Sequence, residues 1–220
     1  MLKSVYNSNI YFKYMRKEYV LQKLAEKRQV DPNCTAFGVK KHRYELNYPL
    51  GKWEVEEIEK KFHIKLPNEY RKFISYIGDG GAGPGYGLFP FRKSLKYPGS
   101  KINRKKITED FIRPDELAED DWSDSGLLIL CQHGCANNTF LVITGKERGY
   151  VWELIEWAGY IPLLKNPPKL SNGRGLSEQE REQQETEWLN KLYQASDNEK
   201  MTFTDWYKSW LQELPILPMN

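Results

Sequence analysis

The densest chemical spacing in the chain is Cys131-Gln132-His133-Gly134-Cys135. Two thiols and an imidazole this close could ligate zinc, or could pair a nucleophile with a base. A structural zinc site needs a second, similarly spaced pair. The other candidates, Cys34, His42 and His63, are scattered along the chain. The competing reading is two small buried thiols at a strand end and a turn. Nucleophilic catalysis would need a base beside the thiol and an acid to orient that base. With only three histidines the options are few, and His63, at a helix end, reads as surface. An enzyme using Cys131, Cys135 or His133 stays open as a reading, without further support. Acidic pairs such as Asp120-Asp121 are common by chance, and no spacing rule singles them out.

The second constellation is Gly78-Asp79-Gly80-Gly81-Ala82-Gly83-Pro84-Gly85-Tyr86-Gly87. It invites comparison with a phosphate cradle. It follows a helix instead of opening one, no strand precedes it, and the Lys-Ser/Thr pair of a P-loop is missing. A loop needing positive φ at several positions, or close backbone approach to a neighbour, fits better. Asp79 and Tyr86 on this corner are candidates for contact with a partner.

The chain has 7 Trp, 14 Tyr and 9 Phe. Several must be core, but so many leave some for a recognition surface. Trp206 and Trp210, spaced i and i+4 beside Phe203 and Leu214, read as core. Trp53 and Trp152 each sit at the edge of an element, where a half-exposed Trp serves recognition. The net charge of +3 is too small to argue for nucleic acid. Its distribution is uneven. Arg92, Lys93, Lys96, Lys101, Arg104, Lys105 and Lys106 form a basic run, followed from Glu109 to Asp124 by an acidic one. Each run reads as a solvated loop or as a polarised surface for a charged protein partner. The basic run lacks interleaved aromatics apart from Tyr97, which argues against nucleic acid.

The elements that position these residues follow from periodicity. Residues 10–29 read as a helix with Ile10, Tyr14, Leu21 and Leu24 near one face, ended by Asp31-Pro32-Asn33. Trp53 to Phe62 is a second helix, with Val55, Ile58 and Phe62 inward and Glu59 among the charges on the other face. A third begins at Pro67, well placed as the first helical residue. Its stripe is Tyr70, Phe73, Ile74 and Ile77, and Gly78 stops it. Leu127–Leu130, Thr139–Ile143 and Tyr150–Leu154 form an antiparallel meander of at least three strands. Tyr86 to Phe91 is a candidate edge strand. Pro162 to Gly175 reads as a loop and Ser177 to Gln194 as a charged helix. The last helix starts at Thr202, a candidate N-cap with Asp205 three residues on. Helices at both ends of a mainly antiparallel sheet make the class α+β.

The 220 residues, 40% hydrophobic, suffice for one large domain or one domain with extensions. An odd count of three cysteines, with no leader signature and no apolar run of membrane-spanning length, predicts a cytoplasmic protein with no membrane partner.

The ordered motifs carry a resemblance. They are Phe37-Gly38 with His42, Tyr44 and Leu46-Asn47-Tyr48-Pro49-Leu50; Leu66-Pro67 with Tyr70-Arg71 and Phe73; Gly80-Gly81-Ala82-Gly83-Pro84 with Tyr86-Gly87-Leu88; Gly134-Cys135, Leu141-Val142, Gly145, Arg148-Gly149 and Val151-Trp152; and Phe203, Trp206-Tyr207 and Trp210-Leu211. From about Phe37 to Leu214 the chain resembles the SUKH superfamily, which includes fungal cell-wall-synthesis regulators of the Smi/Knr type and many bacterial immunity proteins. Such a chain would have an N-terminal helical extension, 1–36, and a SUKH-like α+β domain, 37–220. The resemblance implies no catalytic activity and no cofactor, and an immunity protein of a bacterial polymorphic or contact-dependent toxin system that neutralises a cognate protein toxin by direct binding. A non-catalytic regulatory interaction module is the alternative. Candidate partner contacts are Trp53, Asp79, Tyr86, Asp120, Asp121 and Asp124, the last three because clustered carboxylates would suit the basic active site of a nuclease toxin.

Overall fold

The computed structural model describes residues 15–96, 104–118 and 123–218. Its centre is a four-stranded antiparallel meander in the order β1 (Leu127–Gly134), β2 (Asn137–Val142), β3 (Val151–Ile155) and β4 (Gly159–Pro162). Helices α1 (Lys17–Val30), α2 (Lys52–Phe62) and α3 (Asn68–Lys72) precede it, with short helices α4 (Phe91–Ser94) and α5 (Arg104–Thr108) between. Helices α6 (Glu178–Tyr193) and α7 (Phe203–Gln212) follow. The fold is α+β.

Both sheet faces are covered over β1, so its apolar run shows no alternation. Leu128, Leu130, Leu141 and Val151 face a core shared with α1, α2, α3 and α7. Leu127, Ile129, Phe140, Val142 and Trp152 face a second cluster with Phe111 and Tyr160. In the first core Phe73 packs with ring centroids 5.1 Å from Phe203 and 4.9 Å from Tyr207.

The third helix begins one residue later than expected, with Pro67 as its N-cap. It also changes character midway: Phe73–Ile77 is a π-helical turn, closed by the Gly78 N–H donating to the Phe73 carbonyl at 3.1 Å. The expected buried stripe of Tyr70, Phe73, Ile74 and Ile77 holds. Helix α1 starts at Lys17, and residues 10–14 of the expected helix lie outside the described residues. Its inward residues are Val20, Leu24 and Lys27, while Leu21 is 48% exposed. On α2, Glu59 is buried, accepting from the Leu66 N–H at 2.8 Å and from Arg71 at 3.3 Å.

The segment Tyr86 to Phe91 is not a regular strand. Its Tyr86 and Phe89 N–H groups donate to the Gln132 and Leu130 carbonyls of β1 at 2.9 and 2.8 Å, and Phe91 opens α4. That irregular segment covers one sheet edge. At the other edge, β4 was not expected, being four residues long and ending in proline. The Tyr193 hydroxyl of α6 donates to its Tyr160 carbonyl at 2.8 Å. Caps appear at Ser177 with Glu180 and at the expected Thr202 with Asp205.

Candidate binding face

The glycine loop is a pinned corner. Gly80, Gly81, Gly85 and Gly87 all have positive φ. Gly81 bridges Leu46 on one side and Leu88 on the other. Gly38, at φ 75°, meets the same corner: a Cβ there would lie 1.9 Å from the Gly85 carbonyl oxygen. The Tyr207 hydroxyl of α7 donates to the Ala82 carbonyl at 2.8 Å. The loop is therefore held from the N-terminal segment, from β1 and from the C-terminal helix.

On this corner Tyr86 packs against Phe37, with centroids 5.1 Å apart and residue exposures of 38% and 62%. Tyr86 is thus an accessible aromatic on a fixed backbone. Phe37 entered the sequence reading only as part of a motif. Its exposure depends on the left-handed Gly38 beside it, which turns the chain into the glycine corner. Asp79 behaves differently from a contact residue. It is 8% exposed, and its carboxylate accepts from the Phe91 N–H at 2.7 Å. Burial raises its pKa, opposed by that hydrogen bond and by Arg92. Its position caps α4 instead of presenting a charge to solvent.

Trp53 is 64% exposed at the start of α2. Trp152, expected at an open edge, has no exposure: its place opposite Phe140 in the ladder turns it onto Phe111, at 5.0 Å. Asp124 is paired with Lys106, its side chain 10% exposed. Asp120 and Asp121 lie outside the described residues. Among the described residues no hydrogen bond, ion pair or ring contact joins Trp53, Asp79, Tyr86 and Asp124 to one another.

The Cys-His-Cys segment is split by the β1–β2 turn. Cys135 lies in that turn, exposed and at φ 47°. Cys131 is buried, its sulfur 3.5 Å from His133 Nε2, which is 2.8 Å from Thr139 Oγ1. Burial pushes the Cys131 thiol up to about 12 and the His133 pKa down. Both shifts oppose the thiolate–imidazolium state that a cysteine nucleophile uses. Among the described residues no group of three or more His, Cys, Asp or Glu is placed to hold a metal. No helix among them is long and apolar enough to cross a membrane.

One sheet face opens beyond these groups into a groove of about 540 Å³. Glu153 and Ile161, Trp188 of α6, Trp206 and Trp210 of α7, and Pro84 of the glycine corner line it. Sequence reasoning missed Glu153 and Trp188, because neither belongs to a recognisable motif. Strand alternation places Glu153 on the side opposite Trp152, but the uncovered space there depends on where α6 and α7 pack.

A model of the SMI1 / KNR4 family (SUKH-1) matches residues 49–167, more than half of the chain. The match runs from Pro49, three residues before α2, through the glycine corner and all four strands, to the proline segment after β4. No curated protein and no solved structure matches.

Proposed function

Because the chain belongs to the SMI1 / KNR4 family (SUKH-1), we propose that it is a non-catalytic immunity protein that neutralises a cognate protein toxin by direct binding. The observation that carries this reading is the Phe37–Tyr86 pair, two exposed aromatics 5.1 Å apart on a pinned glycine corner. Rigid aromatics bury large area on binding at little entropic cost, the property of interface anchors. The acidic run from Glu109 to Asp124 supports a basic partner surface, such as that of a nuclease.

The test is co-expression with the product of the neighbouring gene, followed by pull-down and a growth-protection assay. Co-purification with survival is expected. Replacing Phe37 and Tyr86 together by Ala should weaken the complex at least about tenfold. Asp120→Lys with Asp121→Lys should slow association most at low salt. A neighbouring product that is neither toxic nor bound would overturn the toxin reading in favour of a regulatory module of the Smi/Knr type.

A further inference from the structure

The row Cys131, Thr139, Glu153 and Ile161 crosses all four strands on one sheet face. Toward one end of the strands that face is closed, with Leu141 and Val151 buried in the main core. Toward the hairpin turns it opens into the groove. Three tryptophans, Trp188, Trp206 and Trp210, stand along it. Trp157, 53% exposed, lies against Trp188 with centroids 5.7 Å apart and extends the aromatic wall to solvent.

The charges of the groove are unbalanced. Glu153 and Glu213 line it; Glu213 has Lys27 beside it, and among the described lining residues the lysine Lys165 is held by Asp205 at 3.3 Å and by the Asn198 carbonyl at 3.0 Å, which leaves Glu153 without a cation. Among the described residues the Glu153 carboxylate accepts no hydrogen bond, and its side chain is 24% exposed. The titratable groups beside it are His133, at 3.8 Å, whose pKa burial lowers, and the buried Cys131 thiol, whose pKa burial raises, so neither supplies a positive charge at neutral pH. Burial raises the Glu153 pKa, since its charged form has neither donor nor counter-charge, and an incoming cation would offset the cost of that form.

We propose that this groove binds an extended segment of the partner protein carrying an arginine between apolar residues, the guanidinium meeting Glu153 and the apolar side chains packing on the tryptophans. Arginine fits because its planar fork pairs with carboxylates and stacks on aromatic faces. Prolines beside the arginine suit the groove, since a pre-extended segment loses little entropy on docking to an aromatic wall. This inference rests on the protein-binding reading above and names the chemistry of the partner.

The experiment uses the full chain and two capped heptapeptides. Each has leucine, proline and alanine on both sides of its centre, which is arginine in one and uncharged citrulline in the other. Binding is followed by the indole NMR signals of the tryptophans. The arginine peptide should shift Trp188, Trp206 and Trp210 saturably, and the citrulline twin should bind at least about tenfold more weakly. Glu153→Gln should bring the two peptides to equal affinity, and Trp157→Ala should weaken both by about three- to tenfold. The twin comparison on the unaltered protein needs no variant, so it stands even if Glu153→Gln fails to fold. Absence of saturable shifts, equal affinity of the twins, or indifference to Glu153→Gln would overturn the proposal. A concentration-dependent dimer that the arginine peptide dissociates would assign the groove to a second copy instead, and would also overturn it. Toxin protection that survives Glu153→Lys would remove the groove from the mechanism but leave the immunity reading. Peptide binding without any neutralised toxin would do the reverse.

Discussion

The Asp31 carboxylate accepts four hydrogen bonds: from the Thr35 N–H and hydroxyl at 2.7 and 2.9 Å, the Ala36 N–H at 3.1 Å and the Tyr44 hydroxyl at 3.0 Å. Burial raises its pKa, but these donors outweigh burial and hold it below the usual carboxylate range. Removing it strands the donors, so Asp31→Ala should cost about 3 kcal/mol or more in chemical denaturation. His42 is the opposite case. Its Nδ1 accepts from the Tyr44 N–H at 3.1 Å, and burial drives its pKa down to about 4. The unfolded chain therefore binds a proton that the folded chain refuses between about pH 6.5 and 4. Stability should be full above about pH 6.5 and fall toward pH 4 by about 2–3 kcal/mol. Asp31 adds a further loss below its ordinary pKa. Melting temperatures across this range should show the His42 portion of the decline flattened in His42→Gln.

Among the elements, the glycine corner sets the geometry of the exposed aromatics. Gly38→Ala places a methyl group 1.9 Å from a backbone oxygen and at a φ of 75°, so it should cost several kcal/mol, about 2–4. The same variant should raise the accessibility of Tyr86 to fluorescence quenchers, because its ring loses Phe37. Much of this level was legible. The Thr202–Asp205 cap, the α3 stripe and the first three strands follow from spacing that is local in the chain. The π-turn at Phe73–Ile77 was not, since it keeps the buried stripe of an ordinary helix and differs only in its hydrogen bonding. Strand β4 was missed because four residues ending in proline give too short a pattern.

Across the whole molecule, segments far apart in sequence meet at buried charges. Lys200 donates to both Glu147 oxygens, at 2.6 and 2.8 Å, with side chains 4% and 5% exposed, and Arg113 lies 3.8 Å from the same carboxylate. This ties the β2–β3 turn to the segment before α7. Glu147→Ala leaves Lys200 buried without its main partner and should cost about 3–5 kcal/mol. Glu147→Ala combined with Lys200→Met should recover part of that loss, as a urea double-mutant cycle would read directly. Lys27, on the face of α1 that was not assigned inward, donates to the Glu213 carbonyl and sits 4.7 Å over the Trp210 ring. It joins the N-terminal helix to the C-terminal one, outside the span matched by the family model.

The sequence by itself determined the α+β class, the Thr202–Asp205 cap, the glycine corner and the family resemblance. Each rests on periodicity, capping or backbone preference within a few residues. Only the tertiary structure decided which of the singled-out side chains reach solvent. Trp152, Asp79, Glu59 and Lys27 are buried, whereas Phe37 and Tyr86 are accessible. Spacing tells which side of an element a residue occupies, but covering that side depends on segments a hundred residues away. The groove beside Glu153 exists for the same reason: α6 and α7 flank the sheet there without closing over it.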